Sequence, residues 1–206
     1  MTLRRLRLLL WILALSAVGT SAGIAWYRWY AALHRDTWAL ELDGRPAPAF
    51  QLLDQDGRLV SLDSLEGDLF VVTFAYTTCP DTCPLTLRRL VAAHQRLPET
   101  LRDRIRLLAV TVDPERDTPE QVRHYVVANG FDPSLRFLTG ERAALEPVWN
   151  SFGITVNRHP LPHGQYEVRH TAVTYVLDRN GSLRYLIRDE ALEPARLAEL
   201  LERLVG

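Results

Sequence analysis

The chain contains no lysine: its 24 basic residues are all arginine, set against 25 acidic residues for a net charge of −1 over 206 residues. That balance excludes nucleic acid or an anionic membrane surface as the main partner. There is no internal repeat and no low-complexity tract. Cysteine is scarce, with two residues, and neither lies near the apolar N-terminal run. Lipid attachment through a cysteine at that run is therefore excluded.

Both cysteines fall in one segment, Cys79-Pro80-Asp81-Thr82-Cys83-Pro84, at the end of an apolar run. Such a pair serves as a dithiol/disulfide couple, as two soft metal ligands, or as both. The alternative is a permanent structural disulfide. It would close a very short loop, where the entropic gain is smallest.

The N-terminus sets the expected compartment. Residues 1–7 carry Arg4, Arg5 and Arg7, and the 20 residues from Leu8 to Tyr27 carry no charge. That length crosses a bilayer as one helix. Trp26, Tyr27, Trp29 and Tyr30 follow as an aromatic belt, and the preceding arginines place the N-terminus in the cytoplasm. The run is long for the h-region of a cleaved signal peptide, although Ser21-Ala22 offers a cut site. The expected organisation is a cytoplasmic N-terminus at 1–7, a transmembrane anchor at 8–27, a tether at 28–45 and one domain at 46–206. Too few residues precede the anchor for a transit peptide, so a bacterial cytoplasmic (inner) membrane is expected, single-pass, with the C-terminal domain on the periplasmic side.

From Pro46 onward strands and helices alternate. Phe50–Leu53 and Leu59–Leu62, around the turn Asp54-Gln55-Asp56-Gly57, predict a hairpin. Leu69–Tyr76 is a continuous apolar, β-branched run, as in a buried parallel strand. Leu85, Leu87, Leu90, Val91 and Leu97 fit one face of a helix. Ile105–Val112 predicts a second buried strand. Thr118-Pro119 supplies an N-cap and N1 proline for a helix that Asn129-Gly130 ends. Leu135–Leu138 predicts a short strand and Glu141–Phe152 a helix. Ala172–Leu177 and Leu183–Ile187 predict another hairpin, and Glu193-Pro194 begins a last helix. This order predicts an α/β, thioredoxin-like fold with an N-terminal hairpin extension, preceded by one transmembrane helix. Parallel sheets of this kind place their working site at the carboxyl ends of the strands, where Cys79 falls. A helix starting around Asp81 sets the cysteines on its first turn and the loop before it, where backbone N–H groups and the helix dipole favour a thiolate.

Three stretches carry a family resemblance. Thr73-Phe74-Ala75-Tyr76-Thr77-Thr78-Cys79-Pro80-Asp81-Thr82-Cys83-Pro84 resembles the signature of the Sco/SenC copper chaperones. Thr111-Val112-Asp113-Pro114-Glu115-Arg116-Asp117-Thr118-Pro119 matches a second family stretch. Val168-Arg169-His170-Thr171, followed by Tyr175-Val176-Leu177-Asp178, matches a third. The resemblance implies one copper ion, Cu(I) or Cu(II), held by Cys79, Cys83 and His170, in a metallochaperone for the CuA centre of cytochrome c oxidase. The partner it implies is the oxidase subunit that carries CuA, with an upstream copper donor and a thiol reductant. Arg169 departs from the pattern, because family members often carry an aspartate there.

The residue chemistry runs parallel to this. Two thiolates suit Cu(I), and an imidazole suits either oxidation state. Of the other histidines, His34 lies in the tether, and His94 and His124 lie in helices as surface or half-buried residues. His159 and His163 are expected in a solvated loop, Asn157 to Gly164. Thioredoxin-like oxidoreductases place a cis-proline opposite their cysteines, but the comparable pair here is Thr171-Ala172, and a non-proline residue prefers trans. With a three-residue spacer between the cysteines, this weakens the competing reading, a thiol-disulfide reductase acting on cysteines of the oxidase subunit or of other extracytoplasmic proteins. A thiol peroxidase ranks lowest, for want of a Thr-x-x-Cys segment. A redox or copper sensor remains a third reading.

Overall fold

The computed structural model describes residues 4, 11, 16, 19–27, 38–131, 133 and 135–205. The chain divides into two compact units, Met1–Thr37 and Trp38–Gly206. In the first, residues 19–27 are helical and exposed. Among the described residues no helix is long and apolar enough to cross a membrane. Residues 8–10, 12–15, 17 and 18 of the predicted 8–27 anchor, most of residues 1–7 and residues 28–37 of the tether, with His34, lie outside the described residues.

The second unit runs β1 (Ala39–Glu41), β2 (Leu52–Leu53), β3 (Leu59–Val60), β4 (Leu69–Ala75), α1 (Thr82–Arg96), α2 (Glu99–Arg102), β5 (Ile105–Thr111), α3 (Pro119–Ala128) and β6 (Leu135–Leu138). It continues through α4 (Arg142–Ser151), β7 (Val156–Pro160), β8 (Tyr166–His170), β9 (Val173–Asp178), β10 (Leu183–Arg188) and α5 (Pro194–Val205). Six strands form one sheet in the order β1-β10-β9-β4-β5-β6. β4, β5 and β6 are parallel, and β9, β10 and β1 add on antiparallel. β4 lies at the centre with all seven residues buried, which is why its sequence is apolar without alternation. Val71, Val72, Leu107 and Leu108 show no exposed surface. Truncating such a leucine to alanine typically costs about 2–5 kcal/mol. α1 and α5 pack against each other beside this sheet. At α3 the Thr118 hydroxyl accepts the Gln121 N–H and Pro119 follows at N1, as the sequence predicts.

Two segments differ from expectation. Residues 38–45, read as tether, belong to the folded unit: β1 pairs with β10, and Leu42 N–H donates to Arg184 O at 2.8 Å. Trp38 packs on the core, with the Arg196 guanidinium 4.9 Å from its ring centre. The β10 edge has backbone groups to satisfy, and this segment satisfies them although its short sequence has no strand period. The second difference is the 157–164 segment, read as a loop. It is the first strand and turn of a β7–β8 hairpin with its own two-stranded sheet. Pro160, Leu161 and Pro162 masked the strand signal. Leu161 N–H to Gln165 O (2.8 Å) and Thr171 N–H to Thr155 O (3.1 Å) fix the bonded pairs. Pro160 therefore sits opposite Tyr166 at a non-hydrogen-bonded position, where a missing N–H costs nothing.

Candidate functional site

β4 delivers the chain to the site. Beyond Ala75, Tyr76 turns inward and Cys79 N–H bonds back to Tyr76 O at 3.3 Å. The turn is held from beneath by Asp117, which is fully buried. Its carboxylate accepts the Thr77 N–H (3.2 Å), the Thr77 hydroxyl (2.6 Å) and the Thr111 hydroxyl (2.5 Å). Burial raises the Asp117 pKa and these donors oppose that rise.

Cys83 lies in the first turn of α1 and is buried, whereas Cys79 precedes the helix and is half-buried; both are free thiols. The Cys83 N–H points at the Cys79 sulfur, 3.4 Å away. It is one of the helix-start N–H groups that lack a partner within the helix. A hydrogen bond from the Cys83 thiol lowers the Cys79 pKa to about 6 against the opposition of burial, helped by the N–H groups of Cys83 and Asp81. The same shared proton, with burial, raises the Cys83 pKa. The shared proton thus favours Cys83 and the negative charge favours Cys79.

His170 ends β8. Its Nε2 stands 3.9 Å from Cys83 Sγ and its Nδ1 is 2.9 Å from Thr171 O. A carbonyl only accepts, so Nδ1 carries the proton and the Nε2 lone pair faces the sulfur. Burial lowers the His170 pKa, which keeps the ring neutral, while the Thr171 carbonyl pulls the other way. With bonds of about 2.3 Å to sulfur and 2.0 Å to nitrogen, one metal ion spans at most about 4.3 Å between such donors. The Cys83–His170 gap lies within that span. Among the described residues no three His, Cys, Asp or Glu side chains are closed into a ready-made metal cage. The Cys79 sulfur meanwhile accepts the Cys83 amide N–H. Above the pair is a cleft of about 310 Å³ lined by Cys79, Glu167, Arg169, His170 and Ala172.

Of the three residues that the sequence singles out, Cys83 thus meets both His170 and Cys79, and Cys79 and His170 line the same cleft. The other described histidines do not join them. His94, expected at or near the surface, is buried, with Nε2 3.0 Å from Arg102 O and 3.3 Å from Ile105 O; it ties α1 to the turn before β5. His124, His159 and His163 are exposed. Arg169 is exposed and pairs with Glu167 at 3.3 Å, and the carboxylates lining the cleft are those of Asp81 and Glu167. Thr171-Ala172 is trans, and there is no cis peptide among the described residues. Sequence reasoning missed the parts played by Tyr76, Asp117 and Glu167. Tyr76 and Asp117 stand inside two of the motif stretches, and that was their only signal.

A dithiol at the junction of a central strand and the following helix, with an imidazole beside it and Ala172 where oxidoreductases carry a cis-proline, defines a thioredoxin-like protein. The SCO1/SenC family profile matches residues 41–206, and the chain belongs to this family. An SCO2-like protein of Rickettsia prowazekii is 34% identical over 139 residues, covering 66% of this chain and 65% of the relative. The structure of ScoI from Bradyrhizobium japonicum with copper bound is 33% identical, with a TM-score of 0.70 over 77% of this chain and 99% of that one. Apo Sco1 from Thermus thermophilus is 32% identical, with a TM-score of 0.72 over 81% and 96%.

Proposed function

We propose that this protein is a copper metallochaperone that takes one copper ion as cargo through Cys79, Cys83 and His170. The observation that carries the reading is the placement of the His170 ring, with Nε2 3.9 Å from Cys83 Sγ and Nδ1 2.9 Å from Thr171 O. Copper is bound by the Bradyrhizobium relative. Two sulfurs and one imidazole suit Cu(I), and the same set holds Cu(II) outside the cytoplasm. Cys79 is already a thiolate; Cys83 gives up its proton when metal enters, so uptake releases protons and requires a reduced pair. The acceptor is the CuA-bearing subunit of cytochrome c oxidase, as membership of the family implies. Residues 8–27 anchor the chain in a bacterial cytoplasmic membrane, with the domain on the outer side.

A copper titration of the reduced protein, parent and His170→Ala in parallel, tests this. We expect about one copper per chain for the parent. The variant should lose Cu(II) affinity by more than the roughly 10–100-fold that removal of an outer-shell partner costs. Equal affinity would overturn the three-donor site.

The second reading, a thiol-disulfide reductase, draws on the lowered pKa of Cys79, which gives it the character of an attacking thiolate. Rapid reduction of a disulfide substrate by copper-free His170→Ala protein supports it, and no turnover leaves the chaperone alone.

A further inference from the structure

The β7–β8 hairpin carries His170, yet it pairs with no strand of the main sheet. An isolated two-stranded hairpin is marginal in water. Because residues 165, 169 and 171 make the bonds to β7 and its flanks, the carbonyls of Tyr166 and Val168 face away from β7, on the free edge of β8. Side chains rather than a strand meet both of them. Arg116 Nη1 donates to Tyr166 O at 3.1 Å, and the Tyr76 hydroxyl donates to Val168 O at 2.9 Å in a buried bond. On the same side the Tyr166 hydroxyl donates to Asp113 at 2.7 Å.

Tyr76 has a further property that Arg116 lacks. It leaves β4 three residues before Cys79 and is almost fully buried. Its ring meets the His170 ring edge-to-face, with centres 6.1 Å apart. One side chain therefore spans the two halves of the site: its backbone starts the cysteine turn, and its hydroxyl grips β8 two residues before the imidazole. Two residues along a strand is about 7 Å and returns to the same face. The hydroxyl thus fixes both the height and the facing of His170.

We propose that Tyr76 is a positioning residue for copper capture, its hydroxyl pinning the free edge of β8 so that His170 is presented to Cys83 before metal arrives. This rests on the copper reading above. Tyr76 touches no metal in this role and acts by presenting His170. Without the hydroxyl, Val168 O loses its partner, the ring packing persists, and the hairpin samples positions in which Nε2 no longer faces the sulfur. The donors must then be gathered at the moment of binding, which lowers apparent affinity by the fraction of time the site is assembled.

The test is Tyr76→Phe in the full chain, purified in detergent with the cysteines reduced, alone and combined with His170→Ala. In copper-free protein we expect amide exchange across residues 166–170 to quicken by about 10-fold or more, with β4 and β5 unchanged. Cu(II) affinity should fall about 10-fold in the otherwise parental protein and by less than about 2-fold in the His170→Ala background. A residue that merely stabilised the domain would weaken binding equally in both backgrounds and quicken exchange everywhere, and either result would overturn the proposal. So would a Tyr76→Phe protein with parental exchange and affinity. If parent and His170→Ala bind copper alike, it is the three-donor site that fails, and the exchange measurement still decides whether Tyr76 pins the hairpin. Should Tyr76→Phe not fold, the parent supplies the answer: the Tyr76 hydroxyl proton should be visible by NMR and protected from solvent, and a freely exchanging proton sinks the idea.

Discussion

The backbone N–H of Cys83 is aimed at the sulfur of Cys79, 3.4 Å away, so the second cysteine of the motif stabilises the first before either meets metal. The two thiols are therefore unequal. Cys79 is the less buried partner and the one whose thiolate is favoured, while Cys83 is buried.

This inequality predicts the alkylation profile. In reduced, copper-free protein, iodoacetamide should modify Cys79 with a rate that rises through about pH 6, since a lowered pKa leaves the thiolate present above that value. Cys83 should stay unmodified under the same conditions. Mass mapping of the labelled peptide over pH 5 to 9 checks both. Preferential labelling of Cys83, or a midpoint near the ordinary thiol value, would show that the proton is shared the other way.

Asp189 gives a stability prediction. It is 3% exposed and its carboxylate accepts the Thr174 hydroxyl at 2.8 Å. Burial raises its pKa from 3.8 to about 6, against hydrogen bonds from Thr174 and Thr86 and the nearby charge of Arg89. The folded state thus binds this proton more tightly than the unfolded chain. The contribution is complete below pH 3.8 and is lost as pH rises through about 6, a loss of up to about 3 kcal/mol. Asp189→Asn removes the ionisation. In urea unfolding of copper-free protein, its stability relative to the parent should improve between pH 4.5 and 7.5. Parallel pH curves for the two proteins would refute the assignment.

Where the domain begins is also open to measurement. A chain starting at Pro46 lacks β1 and Trp38 and bares the β10 edge, whereas one starting at Trp38 keeps them. The shorter chain should melt roughly 4–8 °C lower, corresponding to about 2 kcal/mol in a domain of this size. It should also self-associate through the open edge. Identical melting curves and monomeric behaviour would mean that β1 adds nothing.

The buried strands β4 and β5 were legible in the sequence because a strand covered on both faces must be apolar throughout. The α3 start was legible because capping chemistry is local. β1 and β7 were not. A three-residue edge strand such as Ala39–Glu41 carries no period, and the prolines at the β7 turn imitate a loop. The cysteine pair could be read from its spacing, and His170 from its motif, but the sequence placed His170 beside the later hairpin and gave no hint that a separate ribbon carries it.

The sequence by itself determined the donor types and the strand-to-helix junction that exposes them, because thiol chemistry, apolar periodicity and helix capping are properties of neighbouring residues. Only the tertiary structure decided that Cys83 and His170, 87 positions apart, stand 3.9 Å from each other. It alone decided that Asp117 anchors the cysteine turn from beneath and that Tyr76 reaches across to β8. The physical reason is that these contacts join segments far apart in the chain, and no local propensity encodes the distance between them. Sheet order and side-chain packing set that distance.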